Sequence, residues 1–418
     1  MNLRQLACLL PALITSPTLA DWSQFRGPAG QGISPEKGLP TTWSTTENMV
    51  WKTDLPGGGN SCPIVVGNKI YLTTYTGFNE PGSRAGTMED LKLHFVCLDR
   101  DSGKVLFKKD VPPKLPEQVT IRERHGYASG TPIADNERIY VSFGKTGLFA
   151  FDHAGKQLWQ ADIGEGLNGW GSCPSPIRFK DLVIVNASVE SESLIAFHAK
   201  TGKEVWRAKG IKESWNTPIL VETAEGKTEL VLAMVGKVLG FDPISGDQLW
   251  SCATDIGWYM VPSLIHAEGI VYCVGGRTGG GLAVKVGGRG DVTKTHRVWT
   301  IKKGSNVTSP ALHNGHMYWM HENNGIAYCA ELTTGKIVYE EKIDRIEQVY
   351  ASSVLADGKI YYVSRTGKTI VLAAKPSFEK LAVNELGRAG MFNASPAIAD
   401  GKLFIRSEKT LYCFGKKP

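Results

Sequence analysis

Residues 240–250 read GFDPISGDQLW, and near copies stand at residues 196–206 (AFHAKTGKEVW) and 329–339 (CAELTTGKIVY). Each copy begins with a small residue and has a glycine six positions later and an aromatic residue ten positions later. The glycine suits a tight turn between two strands. The aromatic ring can pack on the small residue and on a neighbouring unit. The motif therefore predicts a strand, a turn and a second strand, repeated along the chain.

A second phrase precedes the copies of this motif, as in SPAIADGKLFI at residues 395–405. A short apolar run, a polar turn and a β-branched or aromatic run predict a hairpin, so one unit has four antiparallel strands. Spacings of 42 to 48 residues after the first interval are typical of propeller blades. We therefore expect an all-β fold, an eight-bladed β-propeller of four-stranded antiparallel blades. The predicted blade starts are Pro63, Pro132, Pro176, Pro218, Pro262, Pro310, Ser353 and Pro396.

The two ends of the repeat complement each other. The last unit ends at TLYCFG (residues 410–415) without a fourth strand, whereas NMVWKTDL (residues 48–55) is an outer strand without the three that should precede it. The N-terminal strand is therefore predicted to complete the final blade, which closes the ring and removes an exposed sheet edge. The predicted domain division is a signal peptide (1–20), a lead segment (21–46) and a β-propeller domain (47–418).

The first twenty residues predict export. Arg4, the apolar run LACLLPALI and small residues before Asp21 are typical of a signal peptide cleaved near Ala20. No later run approaches the roughly 18 apolar residues of a membrane helix. We expect a periplasmic or secreted protein, soluble after cleavage and without an integral membrane segment.

Charge does not indicate a nucleic-acid binder, and cysteine spacing does not indicate a disulfide-rich or haem-binding protein. A net charge of +6 from 47 basic and 41 acidic residues, without a block of like charges, does not indicate a dedicated nucleic-acid binder. The seven cysteines after Cys8 include no CxxC or CxxCH, so neither a disulfide framework nor covalent haem is indicated.

The repeat resembles the tryptophan-docking motif A-x-x-x-x-T-G-x-x-x-W of eight-bladed, PQQ-like (quinoprotein-type) propellers, carried here by Ala196, Gly202 and Trp206. The lead sequence DWSQFRGPAGQGIS (residues 21–34) resembles that of exported PQQ-like repeat proteins. The resemblance implies the fold and leaves the activity open, because the same propeller serves PQQ-dependent alcohol dehydrogenases and the BamB-type scaffold of outer-membrane assembly.

The signatures of a cofactor site are missing from the sequence. The resemblance implies adjacent cysteines over the quinone and a calcium site in PQQ dehydrogenases, and the chain has no adjacent cysteines. His313 and His316 flank a predicted turn, whereas His321 follows a strand that places it about 16 Å away, too far for one metal ion. RTGKT (residues 365–369) lacks the first glycine of a phosphate loop. We expect no metal, no cofactor and no catalytic residue, with PQQ as the alternative cofactor.

One face of the ring carries the richest loops. In a four-stranded blade the loops after the second and fourth strands share a face, which we call the binding face. The first blade places its two insertions there, residues 76–92 (first insertion) and 112–124 (second insertion). Turns of the opposite face are short, apart from the region of GGRGDVTK (residues 287–294). The candidate ligand-binding residues on the binding face are His125, Tyr127, Trp170, Trp215, Asn216, Trp258, Tyr259, Arg277, Asn306, Glu322, Asn323, Tyr350, Arg365 and Asn393.

Aromatic and amide side chains at the mouth of a channel suit a sugar, a peptide or a polar small molecule. The expected function is a non-enzymatic binding or scaffold protein for a protein partner or a polar small ligand such as a glycan. The alternative is a PQQ-dependent or carbohydrate-active enzyme on the same face, with Glu322 or His125 as acid or base. Arg26 in the lead segment either reaches this face or fastens the segment, and the sequence leaves both open.

Overall fold

A computed structural model of the chain describes residues 21–83, 86–172, 174–277, 279–387 and 390–416. The predicted signal peptide lies outside these residues. The described part forms eight four-stranded antiparallel blades in a propeller, which confirms the predicted fold.

The strands of each blade follow one another in the sheet from the inner to the outer edge. The strands are Ile64–Val66, Lys69–Thr76, Lys92–Asp99 and Val105–Val111 in blade 1, and Ile133–Ala134, Arg138–Ser142, Leu148–Asp152 and Gln157–Ala161 in blade 2. They are Ile177–Phe179, Leu182–Ala187, Ser193–His198 and Glu204–Lys209 in blade 3, and Ile219–Glu222, Thr228–Met234, Lys237–Phe241 and Gln248–Ala253 in blade 4. The strands are Ile265–Ala267, Ile270–Gly275, Gly280–Lys285 and Arg297–Ile301 in blade 5, and Ala311–His313, His316–Met320, Ile326–Glu331 and Ile337–Lys342 in blade 6. They are Val354–Ala356, Lys359–Val363, Thr369–Ala373 and Lys380–Asn384 in blade 7, and Ala397–Ala399, Lys402–Arg406, Thr410–Phe414 and Met49–Asp54 in blade 8.

Two short strands add to these blades in parallel, and the helices are single turns. Ile33–Ser34 pairs with the inner strand of blade 7, and Gly290–Asp291 with the outer strand of blade 4. The α-helices are Ser188–Ser191 and Thr293–His296, and the 3-10 turns are Pro28–Gly30, Met88–Asp90, Arg122–Arg124 and Gly144–Thr146. Within the described ranges, no helix has the length and apolar character of a membrane span.

The N-terminal strand closes the ring as predicted. Met49–Asp54 pairs antiparallel with Thr410–Phe414, so blade 8 takes its outer strand from the start of the chain and its other three from the end. This ladder removes the free edge that the C-terminal strand would otherwise present to solvent.

The motif glycines seat the outer-strand tryptophan of the preceding blade. Trp206 of blade 3 lies over Gly246 of blade 4, where a Cβ atom would come within 2.5 Å of the indole ring. Its Nε1 donates to the carbonyl oxygen of Pro243 at 3.2 Å. The same contact recurs for Trp51 over Gly103, Trp159 over Gly202 and Trp299 over Gly335. Glycine is required at these positions for two reasons: the backbone has a positive φ, and a side chain would overlap the indole ring.

Blade 4 departs from this arrangement because blade 5 lacks the TGK turn. Trp250 instead lies over Gly240 of its own blade, fully buried, and its Nε1 donates to Glu229 Oε2 at 2.7 Å. A Cβ atom at Gly240 would come within 2.1 Å of the indole ring, so this copy of the motif begins with glycine rather than alanine or cysteine.

The predicted start of blade 5 at Pro262 is wrong by two residues. Its first strand begins at Ile265, whereas the other first strands begin one residue after their predicted starts. A hydrogen-bond pattern shows why: the N–H of Thr217 donates to Ser263 Oγ at 3.0 Å, and the N–H of Ser263 donates to Ser309 Oγ at 2.9 Å. Ser263 thus occupies the position that precedes proline in most blades, and Leu264 occupies the proline position.

The lead segment crosses the end of the channel at the opposite face. The backbone of Trp22 pairs with Val65 in blade 1, and Ile33–Ser34 runs parallel to the inner strand of blade 7, Val354–Ala356. The carboxylate of Glu36 then accepts backbone N–H groups from the first turn of blade 8. The segment therefore bridges blades that are distant in the sequence before the chain enters the closing strand.

Arg26 fastens this crossing and does not reach the binding face. Its guanidinium is fully buried and donates to the carbonyl oxygen of Ser309 at 3.2 Å and to that of Gln31 at 2.9 Å. It also donates to the carbonyl oxygen of Pro310. Burial lowers the pKa of Arg26 to about 9. Four carbonyl contacts, counting one to Gly30, replace the water that the cation loses.

Candidate binding face

A cavity of 410 Å³ opens at the centre of the binding face, and we call it the bowl. Its wall is built from connections between consecutive blades and from loops after second strands, as the topology predicts. Eight candidate residues line it: His125, Trp170, Trp215, Tyr259, Arg277, Asn306, Asn323 and Tyr350. The lining also includes Arg122, Glu123 and Gln348, which were not among the candidates predicted from the sequence.

Tyr259 is the centre of an aromatic cluster in the bowl. Its ring centroid lies 5.8 Å from that of Trp170, 5.6 Å from that of Trp215 and 5.2 Å from that of Trp258. Trp258 is at the rim, 37% exposed, outside the cavity lining. Edge-on and tilted contacts of this kind keep the rings rigid while their outer surfaces face solvent.

Two exposed arginines lie on the flanking tryptophans. The guanidinium of Arg122 lies 5.1 Å from the Trp170 ring centroid, and that of Arg277 lies 5.7 Å from that of Trp258. Among the described residues, neither guanidinium forms a salt bridge with a carboxylate. The cluster is therefore bordered by positive charge on both sides.

Arg365 joins the second insertion to blade 7. Its guanidinium pairs with Glu123 Oε2 at 2.7 Å, lies 4.3 Å from the centroid of Tyr350, and donates to Gln348 Oε1 at 2.8 Å and to Asn393 Oδ1 at 3.1 Å. Arg365 is buried, whereas Glu123 is partly exposed. The ion pair holds the wall of the bowl together between parts of the chain far apart in sequence.

His125 stacks on Tyr350 with ring centroids 6.1 Å apart. Burial, together with the nearby Arg365 cation, lowers the pKa of His125 to about 4. The imidazole is therefore neutral at physiological pH and adds no charge to the bowl.

Four of the remaining candidates hold the wall from behind. Tyr127 packs on Tyr75, with ring centroids 5.3 Å apart, beneath the two insertions. Asn216 is buried and exchanges hydrogen bonds with the backbone of Ala233.

Glu322 and Asn393 likewise position other side chains. Glu322 is 1% exposed, and its Oε2 accepts hydrogen bonds from Ser305 Oγ at 3.0 Å and from the N–H of Asn306 at 2.9 Å. Asn393 orients Arg365. The residues selected on one face thus divide into those that line the cavity and those that support its wall.

Below the bowl the channel narrows to a 120 Å³ space lined by small polar side chains, with Phe25 of the lead segment at its floor. One such side chain comes from each blade: Cys62, Thr131, Ser175, Thr217, Ser263, Ser309, Ser352 and Ser395. Most accept a hydrogen bond from the corresponding backbone N–H of a neighbouring blade. The sequence signal was a Cys, Ser or Thr directly before the repeated proline.

Solved structures with the same architecture include proteins of different activity. BamB from Moraxella catarrhalis is similar over 88% of this chain and 99% of its own, with a TM-score of 0.60 and 11% identity. The computationally designed Ika8 protein covers 87% and 98%, with a TM-score of 0.57 and 11% identity. A europium-containing methanol dehydrogenase covers 85% and 89%, with a TM-score of 0.51 and 14% identity. At these identities the likeness shows the fold alone, and no curated protein matches the chain.

The described lining of the bowl offers few ligands for a metal ion that would hold a quinone. The described residues contain no group of three or more His, Cys, Asp or Glu side chains that could hold a metal ion. The carboxylate in the described lining is that of Glu123, which is already paired with Arg365. Hard divalent cations need several oxygen ligands. The amide groups of the lining could offer oxygen atoms, whereas the aromatic and guanidinium groups beside them offer none.

Residues 94–341, more than half of the chain, match a family described as outer membrane protein assembly factor BamB. The matched region runs from blade 1 to blade 6 and includes most of the bowl. The chain therefore belongs to the outer membrane protein assembly factor BamB family.

Proposed function

We propose that this protein is a non-enzymatic binding or scaffold propeller that holds a segment of a protein partner in the bowl. The observation that carries the proposal is the aromatic cluster around Tyr259, placed at the open end of a channel whose other end is covered by the lead segment. Aromatic and arginine side chains are the residues that most often dominate protein interfaces. Membership of the outer membrane protein assembly factor BamB family supports a protein, rather than a small molecule, as the partner.

The chemistry of the wall also favours binding over catalysis. Glu123 is paired with Arg365, and Glu322 is buried behind the loop that carries Asn306. Both carboxylates thus support the wall, and His125 is held against Tyr350. The signal-peptide sequence supports the periplasm as the place where the protein acts.

A capture experiment tests the function. The purified protein, immobilised, is incubated with cell-envelope extract, and bound proteins are compared between the wild type, Trp215→Ala and Arg277→Ala. We expect one partner that the wild type retains and both variants lose. Retention by both variants, combined with loss after changes in residues 287–294 of the opposite face, would place the site elsewhere.

A second assay addresses the enzymatic alternative. The protein is mixed with PQQ and calcium and tested for dye reduction with a panel of alcohols and aldose sugars. We expect no turnover above that of PQQ and calcium alone. Turnover that is lost in Trp215→Ala would contradict the proposal.

A further inference from the structure

We propose that the segment accepted by the bowl is acidic, with an Asp or Glu carboxylate next to an aromatic side chain in an extended peptide. This inference rests on the proposed function and specifies the chemistry of the partner. It follows from three features of the bowl: its charge, the orientation of its arginines and its unpaired amide atoms.

The charge balance of the bowl is positive. Arg122 and Arg277 have no carboxylate partner in the described part of the chain, whereas the charge of Arg365 is offset by Glu123. His125 is neutral at physiological pH. Three guanidinium groups against the two carboxylates of the wall, Glu123 and the buried Glu322, leave an excess of one positive charge at the mouth of the channel, and this favours an anionic partner.

The two unpaired guanidinium groups are held where a carboxylate can reach them. Each lies on an indole ring, Arg122 on Trp170 and Arg277 on Trp258. Stacking restricts a guanidinium without using its N–H groups, which remain able to bind a carboxylate with two parallel hydrogen bonds. Between them, Tyr259 and Trp215 present ring surface for an apolar or aromatic neighbour of that carboxylate.

Two amide side chains offer hydrogen-bonding atoms in and below the bowl. The Oδ1 atom of Asn306 and the Nδ2 atom of Asn393 are buried and have no hydrogen-bond partner among the described residues. Asn306 lines the bowl, and Asn393 lines the narrow channel beneath it. An acceptor and a donor of this kind can pair with the N–H and C=O of an extended backbone, as they can with sugar hydroxyl groups, and the binding test therefore includes both classes of ligand.

The test is selection of a random linear peptide library, displayed on phage, against the full-length mature protein. We expect the enriched peptides to carry Asp or Glu beside Trp, Tyr or Phe. Binding of the synthesised peptides is then measured by fluorescence anisotropy. Arg277→Gln and Arg122→Gln should each weaken it about tenfold, the scale of one charged hydrogen bond. Arg277→Lys should recover part of the loss, because lysine keeps the charge and loses the fork of donors.

The control is Arg289→Gln, which removes one positive charge from the opposite face, where Arg289 pairs with Glu229 at 3.3 Å, and should leave the affinity of the bowl unchanged. Enriched peptides without carboxylates, or acidic peptides that bind the Arg122→Gln/Arg277→Gln double variant as tightly as the wild type, overturn the inference and leave the proposed function standing. Absence of any peptide that depends on the bowl overturns both. If oligogalacturonate binds in an arginine-dependent way and no peptide competes with it, the bowl is assigned to an acidic glycan. This outcome overturns the inference and also the protein partner of the proposed function.

Discussion

At Gly240 the repeated motif departs from its usual packing, because the indole ring of Trp250 occupies the space that a side chain at this position would fill. We expect Gly240→Ala to lower the free energy of unfolding by about 1–3 kcal/mol, the usual cost of overpacking a filled core. Urea unfolding of the variant and the wild type measures this loss of unfolding free energy. The control is Ala196→Gly at the equivalent position of blade 3, which should cost at most about 1 kcal/mol through backbone entropy. Equal losses in both variants would contradict the role of Trp250.

His125 predicts a pH dependence of stability. Its pKa is lowered to about 4 by burial and by Arg365, against about 6.5 in the unfolded chain. The stability that His125 contributes is therefore complete above pH 6.5 and is lost as pH falls towards 4, because the unfolded state binds the proton more tightly. His125→Gln should reduce the fall in unfolding free energy over this window by about 1–3 kcal/mol. An imidazole that titrates near pH 6.5 by NMR would refute the assignment.

At the scale of single elements, the helix Ser188–Ser191 gives the opposite pH dependence. Burial raises the pKa of Glu190 to about 7, and that of the nearby Glu117 in the second insertion also to about 7. A raised carboxyl pKa gives stability that is complete below about 4.5 and is lost as pH rises through 7. Glu190→Gln should therefore be more stable than the wild type at pH 8, by about 1 kcal/mol, and similar to it at pH 5.

Urea unfolding at both pH values provides this measurement. Glu192→Gln is the matched control, because Glu192 directly follows the same helix but is largely exposed. A gain at pH 8 in the control as large as in Glu190→Gln would show that net charge, rather than the buried carboxyl, is responsible.

Regular elements were predictable from sequence because their pattern repeats. The motif located the strands of each blade and the closing strand Met49–Asp54, since turn glycines and alternating apolar residues are local signals. The path of the lead segment was not predictable, because Arg26 binds backbone carbonyl groups that any sequence presents. Topology likewise placed Glu322 and Tyr259 on one face, but side-chain packing decides that Glu322 is buried and Tyr259 lines the bowl.

At the scale of the whole molecule, two nested deletions separate the roles of the N-terminal region. Removing residues 21–46 should open the channel at the opposite face, lower the melting temperature and leave a monomer, because the outer strand of blade 8 remains. Removing residues 21–55 should also expose the edge of Thr410–Phe414 and cause aggregation. Calorimetry and size-exclusion chromatography distinguish the two. Monomeric elution with an unchanged melting temperature after the longer deletion would show that ring closure does not depend on this strand.

The ladder between Met49–Asp54 and Thr410–Phe414 also bears on how the chain folds in time. Its partners are separated by almost the whole sequence, so the last sheet has a very high contact order and cannot form until synthesis has delivered the C-terminal strand. Non-local pairing of this kind is slow, because the entropy of closing a long loop is lost before any contact compensates for it. Earlier blades have local contacts and can assemble first. The ring is therefore expected to pass through a long-lived, open intermediate with an unpaired edge, visible as a late phase in pulse-labelling hydrogen exchange at the closing strand.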